Sequence, residues 1–134
     1  KKIIPIKTEF SENFNFNYSR FEKIIIESVE QSDGIFIPEI EKLTPLKNIL
    51  ENWSNDRKIF FCDEDREGKK ISNYSLKKND KIAIFIGPVG GWSFKDKLFF
   101  KSLRVNKVNL GENILKADTA AIVCLSGLKG LIDE

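Results

Sequence analysis

Residues 82–93, I-A-I-F-I-G-P-V-G-G-W-S, constrain the fold of this chain more than any other stretch. The β-branched and aromatic run reads as a parallel strand buried on both faces. It stops in Gly87-Pro88-Val89-Gly90-Gly91, just before a helical pattern begins at Phe94. Strand, glycine turn and helix in that order make the geometry of a ligand site. Glycines at a strand's carboxyl end let backbone approach a ligand and can take positive φ, and the helix that follows starts with unpaired N–H groups. Ser93 and Asp96 have capping-box spacing, which starts the helix directly after the glycines. The same residues also suit a tight βα turn that binds nothing.

The rest of the chain alternates strand and helix patterns. Ile3, Ile4 and Ile6 around Pro5 read as a short strand at a sheet edge, and residues 7–17 as a loop. Ser19 with Glu22 reads as a second capping box, opening a helix to about Ser32 with Phe21, Ile24, Ile25 and Val29 on its apolar face and Gly34 beyond its end. Residues 35–40 are extended. Thr44 followed by Pro45 at the first helical position starts another helix, to about Trp53, with Leu46, Ile49, Leu50 and Trp53 on one side. Residues 58–62 are a buried strand and 63–79 a charged surface loop. A helix over 94–103, a strand over 106–110 and a last helix over about 118–129 follow. This alternation predicts an α/β fold, a mainly parallel sheet with helices on both faces.

A chain of 134 residues suits one domain with a modest core. Its longest apolar runs fall well short of the ~20 residues that a membrane span needs, and no secretory signal pattern follows Lys1. Cys62 and Cys124 sit in apolar segments and read as buried free thiols in a reducing, cytoplasmic setting, not as a disulfide or metal pair. With no histidine, Ser-His-Asp and Cys-His catalysis and the H-E-x-x-H metal motif are excluded. The net charge of +2 permits a nucleic-acid partner without demanding one. The printed sequence contains no methionine, so a further N-terminal portion is expected.

Three strands end in turns, at 61–63, 86–87 and 110–111, and in an α/β sheet those ends share one edge and can form one pocket. Glycines at 87, 90 and 91 do not make G-x-G-x-x-G, and no Lys-Ser/Thr pair follows them as in a P-loop. Val89 and Trp92 offer no cation to a phosphate. The pocket therefore suits a ligand held by backbone groups and apolar walls, such as a purine nucleoside.

The pairing of I-G-P-V-G-G-W-S with L-G-E-N-I-L-K-A-D-T-A at 110–120 resembles the G-P-E-G-G and L-G-x-R-I-L-R-x-E-T-A signatures of the RsmE family. These are SPOUT-class methyltransferases acting on N3 of a uridine in small-subunit (16S) ribosomal RNA. Glu30-Gln31 with Ile37-Pro38-Glu39-Ile40 resembles the family's E-Q and P-x-I segment, and Ile4-Pro5-Ile6 before Thr8-Glu9 resembles the strand leading into its S-E-R segment. The resemblance implies a SPOUT-type fold with a C-terminal trefoil knot, S-adenosylmethionine bound at the knot, and a homodimer acting on 16S rRNA or the small ribosomal subunit, with no membrane or metal partner. Residues 1–134 would be the methyltransferase domain without its first strand and helix, and a PUA-like RNA-binding domain would precede the printed chain. It also implies that Gly87, Pro88, Gly90, Gly91, Leu110, Gly111, Ile114 and Leu115 wrap the cofactor, with Cys62 lining one wall. Lys116 would stabilise negative charge on the uracil or a phosphate. Asp118 and Thr119 would cap the last helix and orient that lysine, and Glu30, Gln31 and Thr119 would face the substrate.

The sequence departs from the family pattern at Val89, Phe10, Gly34, Asn113, Lys116 and Asp118, where glutamates or arginines are expected. Lysine supplies a point charge where an arginine supplies a planar fork, so these departures bear on substrate recognition and catalysis more than on a backbone-held cofactor. A second reading is therefore a catalytically degenerate SPOUT protein that binds RNA or ribosomal particles without methyl transfer. A third is an unrelated nucleotide-binding α/β module.

Overall fold

The computed structural model of the protein describes residues 2–11, 17–31, 37–62, 68–87, 91–109 and 124. In chain order these form β1 (Lys2–Ile3), β2 (Ile6–Lys7), a 3-10 turn (Glu9–Ser11), α1 (Tyr18–Gln31), β3 (Glu39–Ile40), β4 (Thr44–Pro45) and α2 (Leu46–Glu51). There follow β5 (Arg57–Cys62), β6 (Lys69–Lys70), a 3-10 turn (Ile71–Asn73), β7 (Lys81–Ile86), α3 (Phe94–Phe99) and β8 (Val105–Asn109).

The main sheet has the order β6-β8-β5-β7, and every pairing in it is parallel. The central strand β5 registers Ile59 against both Ala83 and Val105, and Cys62 against both Ile86 and Val108. Its four consecutive buried residues, Ile59 to Cys62, are what a strand covered on both faces requires. Pro5 divides the first strand of the sequence reading into β1 and β2, which pair in parallel with β3 and β4 as two small ladders.

Alternate residues of β5 build two cores. On one face Ile59 and Phe61 join Phe85, Leu46, Leu50, Trp92 and Phe100, so that α2 and α3 are held against the sheet. Phe61 meets Trp92 and Phe100 with ring centroids 4.9 Å away in each case, within the range of favourable aromatic pairs. On the other face Phe60, Cys62 and Val108 pack with Ile71, Tyr74, Leu76 and the helical, fully buried Cys124. The expected α/β fold with a mainly parallel sheet stands. The last helix of the sequence reading lies outside the described residues except at Cys124, and the segment expected to form the knot lies outside them. No helix among the described residues is long and apolar enough to cross a membrane.

Several local expectations are corrected. Helix α1 starts before Ser19, and Asn17 caps it, its side-chain oxygen accepting from Arg20 N at 3.1 Å. Ile25 of α1 is buried, but Ile24 is 48% exposed. Pro45 is the cap of α2 rather than its first helical residue, and the Thr44 hydroxyl donates back to Lys42 O instead of capping. Helix α3 ends at Phe99, short of Leu103. The charged stretch 63–79 is more than a surface loop, since it contains β6 and the 3-10 turn that covers the second core. Tyr74 meets Phe60 edge-on at 5.3 Å and donates its hydroxyl to Lys107 O.

Candidate functional site

The register of β5 with its two neighbours sets Cys62, Ile86 and Val108 side by side, so β5, β7 and β8 finish at one edge. Trp92 lies against the end of β7. A Cβ built on Gly87 would lie 2.7 Å from Trp92 Nε1 and 3.0 Å from its Cδ1, so the indole fills the space a side chain would need. Trp92 is buried, and its Nε1–H donates to Cys62 O at 3.3 Å, pinning the turn to the end of β5. Gly91 has φ +76°, and nothing lies within 4 Å of the position its Cβ would take. Its bare backbone therefore borders open space.

Ser93 and Asp96 form the predicted capping box. Ser93 Oγ accepts from Asp96 N at 3.0 Å, and Asp96 Oδ2 accepts from Ser93 N at 3.1 Å. The box reaches further than the sequence indicated. Glu9 N donates to Asp96 Oδ1 at 3.4 Å and Ser93 Oγ donates to Glu9 Oε2 at 2.8 Å, tying the Glu9–Ser11 turn to the start of α3. Buried Thr8 holds that turn, with its N–H donating to Ser11 Oγ at 2.9 Å. The sequence signal for this contact was the likeness of Thr8-Glu9 to the S-E-R segment, and it carried no geometry.

Both cysteines are free and buried, as the sequence reading has them. They also meet across the second core, and the Cys124 thiol beside it, together with burial, pushes the Cys62 thiol well above its ordinary range. Cys62 thus turns its side chain into the core and its carbonyl to Trp92. Gly87 and Gly91 sit on the turn, while Glu30 and Gln31 are exposed at the end of α1. Pro88, Gly90, Leu110, Gly111, Ile114, Leu115, Lys116, Asp118 and Thr119 lie outside the described residues, as do Gly34, Val89 and Asn113. Among the described residues no cluster of three or more Cys, Asp or Glu could hold a metal ion. A cavity of about 520 Å³ between α1 and β3, lined by Ile25, Ile26 and Ile40 among others, presents Glu22, Glu39 and Glu41 but no convergent catalytic set.

Chemically, the edge offers the bare backbone of Gly87 and Gly91 and the Trp92 indole, and residues 87–93 carry no charged side chain. That environment suits a ligand held by backbone groups and apolar walls, such as a nucleoside.

The family model described as RNA methyltransferase domain matches residues 1–129. The ribosomal RNA small subunit methyltransferase E of Rickettsia conorii is 32% identical over 130 residues, covering 96% of this chain and 53% of that protein. The ribosomal RNA small subunit methyltransferase E 2 of Borreliella burgdorferi is 34% identical over 121 residues, covering 86% of this chain and 46% of that protein. The chain thus spans about half the length of the curated relatives it matches. Among solved structures, a ribosomal RNA small subunit methyltransferase E from Neisseria gonorrhoeae bound to S-adenosyl methionine aligns with TM-score 0.83 and 20% identity, over 98% of this chain and 55% of that one. At that identity the likeness concerns the fold.

Proposed function

Because the chain belongs to the RNA methyltransferase domain family, we propose that it methylates N3 of a uridine in small-subunit (16S) ribosomal RNA, using S-adenosylmethionine. The observation that carries this reading is the convergence of the ends of β5, β7 and β8 on one edge, where Trp92 packs on Gly87 and bonds to Cys62 O and Gly91 presents bare backbone. When bound, the cofactor supplies a methyl group on a sulfonium, an electrophile that needs neither metal nor histidine for its activation.

The remaining work falls to the protein. Trp92 and the end of β5 give the donor side an apolar wall, and the bare backbone at Gly91 lets a ligand come close. Pro88, Gly90, Leu110, Gly111, Ile114 and Leu115 complete the cofactor turns in this proposal. N3 of uridine is weakly acidic, so its proton must leave as the methyl group is attacked, and the resulting negative charge must be stabilised. Lys116 is assigned that stabilisation, with Asp118 and Thr119 orienting it and Glu30 and Gln31 on the substrate side. We also propose that the protein acts as a homodimer in the cytoplasm.

Calorimetry with S-adenosylmethionine and transfer of labelled methyl to unmodified small ribosomal subunits test the reading together. Saturable binding and label at N3 of a uridine are expected, and no binding at about millimolar cofactor would overturn the assignment. Label undiminished in Lys116→Ala would remove Lys116 from its role. One observation favours a second reading, RNA binding without transfer: Phe10, 58% exposed, stands where the resembled S-E-R segment has an arginine, and a phenyl ring cannot replace a guanidinium fork. Cofactor and ribosome binding without label would select that reading. Sedimentation of the protein at its own mass, without dimer, would refute the homodimer.

A further inference from the structure

The corner where the Glu9–Ser11 turn meets α3 exposes large apolar side chains that the fold does not use. Phe94 is 78% exposed, Phe10 58% and Leu98 47%. They share one corner because Glu9 is bonded to both Ser93 and Asp96, so Phe10 leaves the chain beside the residue that opens α3. Leu98 lies one turn along the helix from Phe94, on the same face. The patch also adjoins the edge described above, since only Trp92 and Ser93 separate Gly91 from the start of α3.

The charge around the patch is positive. Lys95, Lys97, Lys101 and Arg104 are exposed along α3 and the turn after it, and the one carboxylate in that segment, Asp96, is buried and turned inward to the Ser93 and Glu9 amides. Among the described residues Glu9 is the acid at the corner, and its carboxylate is taken up by the Ser93 hydroxyl. At the opposite, amino end of the sheet the lysines are matched instead: Lys58 with Asp80 at 2.7 Å and Lys81 with Asp56 at 2.8 Å. Among the described residues Lys95 and Lys101 enter no ion pair. Exposed aromatic faces flanked by unmatched cations are the recognition chemistry of single-stranded nucleic acid, whose unstacked bases lie on rings while its phosphates meet lysines.

We infer that Phe10, Phe94 and Leu98, with Lys95 and Lys101, form a stacking platform for single-stranded RNA beside the reaction edge. The platform rests on the RNA-methyltransferase reading and adds a binding surface to it. It holds nucleotides neighbouring the target and takes no part in the transfer itself.

The test is fluorescence anisotropy of the full chain with a labelled oligoadenylate of about 12 nucleotides and with an RNA duplex, alongside calorimetry with S-adenosylmethionine. Stacking on one ring corresponds to about a 5- to 150-fold change in affinity. Phe94→Ala and Phe10→Ala should each weaken the single strand within that range, and Phe94→Trp should restore binding. Lys101→Ala should lower the slope of log affinity against log salt by about 0.7. Cofactor affinity should be unchanged in all four variants.

Four results would overturn the platform: no binding of the single strand by the parent, single-strand binding by both alanine variants undiminished from the parent's, a duplex bound as tightly as the single strand, or a dimer that Phe94→Ala splits in sedimentation without changing RNA affinity. That last result would assign the face to a second copy. Loss of cofactor binding in the parent is a separate readout, and it alone reports on the methyltransferase reading.

Discussion

Replacing Gly87 with alanine tests whether the central turn is built by packing or reserved for a ligand. The added methyl would lie 2.7 Å from Trp92 Nε1, closer than real Cβ contacts come, and 3.0 Å from Cδ1 and 3.1 Å from Cε2, tighter than nearly all of them. The indole must therefore retreat by several tenths of an ångström, yet it is boxed in. It is 8% exposed and has Phe61 and Phe100 at centroid distances of 4.9 and 5.8 Å. Its hydrogen bond to Cys62 O, already 3.3 Å long, would lengthen past usefulness. Overpacking of this kind costs about 1–3 kcal/mol and the lost hydrogen bond about 1 more, so Gly87→Ala should destabilise the protein by about 2–4 kcal/mol. In a domain of this size that lowers Tm by roughly 6–15 °C, readable by circular dichroism. Trp92→Leu removes the clashing edge, so the double variant should recover about 1–3 kcal/mol of the summed single losses. An unchanged Tm for Gly87→Ala combined with weakened cofactor binding would refute the packing account and make Gly87 a ligand contact alone.

Three other perturbations probe the surroundings of the turn. Asp96→Ala removes the second half of the capping box and the acceptor for Glu9 N, and should cost about 1–2 kcal/mol, with faster hydrogen exchange at the Ser93 and Glu9 amides; slow exchange at Glu9 would refute the tie between the two segments. The Lys58 ammonium, assisted by the Lys77 N–H, holds the Asp80 carboxyl below the usual carboxylate range. A depressed folded-state pKa gives stability that is present above the unfolded value of about 3.9 and lost as pH falls through the folded value, so Asp80→Asn should flatten the fall of Tm below about pH 4. Parallel curves for parent and variant would refute it. Both thiols should resist a disulfide reagent in the native protein, and 2 equivalents should react once it is unfolded; rapid native labelling would contradict their burial.

What the sequence made legible was the part set by local chemistry. The apolar runs of β5 and β7 read as strands, β5 buried over four residues and β7, at the edge of the described sheet, half-buried around Phe85, and Ser93-x-x-Asp96 fixed the start of α3 because both halves of the box lie within one turn. The same rule misled at Ser19, where Asn17 offered an equally good cap two residues earlier and the helix took it. Local spacing cannot decide between two competent caps. The charged stretch 63–79 hid β6 and Tyr74 because most of its described residues are exposed, and the few that pack meet β5 and β8, away from the stretch in sequence.

The candidate site divides along the same line. Its glycines were visible in the sequence, but the reason for one of them was not. Gly87 looked like a residue kept bare for a ligand, and its nearest neighbour proves to be Trp92, five positions on and folded back by a bond to the end of another strand. Likewise Glu9 and Asp96 are 87 positions apart in sequence, yet they join the first segment of the chain to the turn. In this protein Gly87 and the start of α3, on either side of the turn, are held by partners that sequence spacing does not encode. Any ligand it holds therefore meets a surface set by Trp92, and substitutions at Trp92 should alter cofactor affinity and stability together.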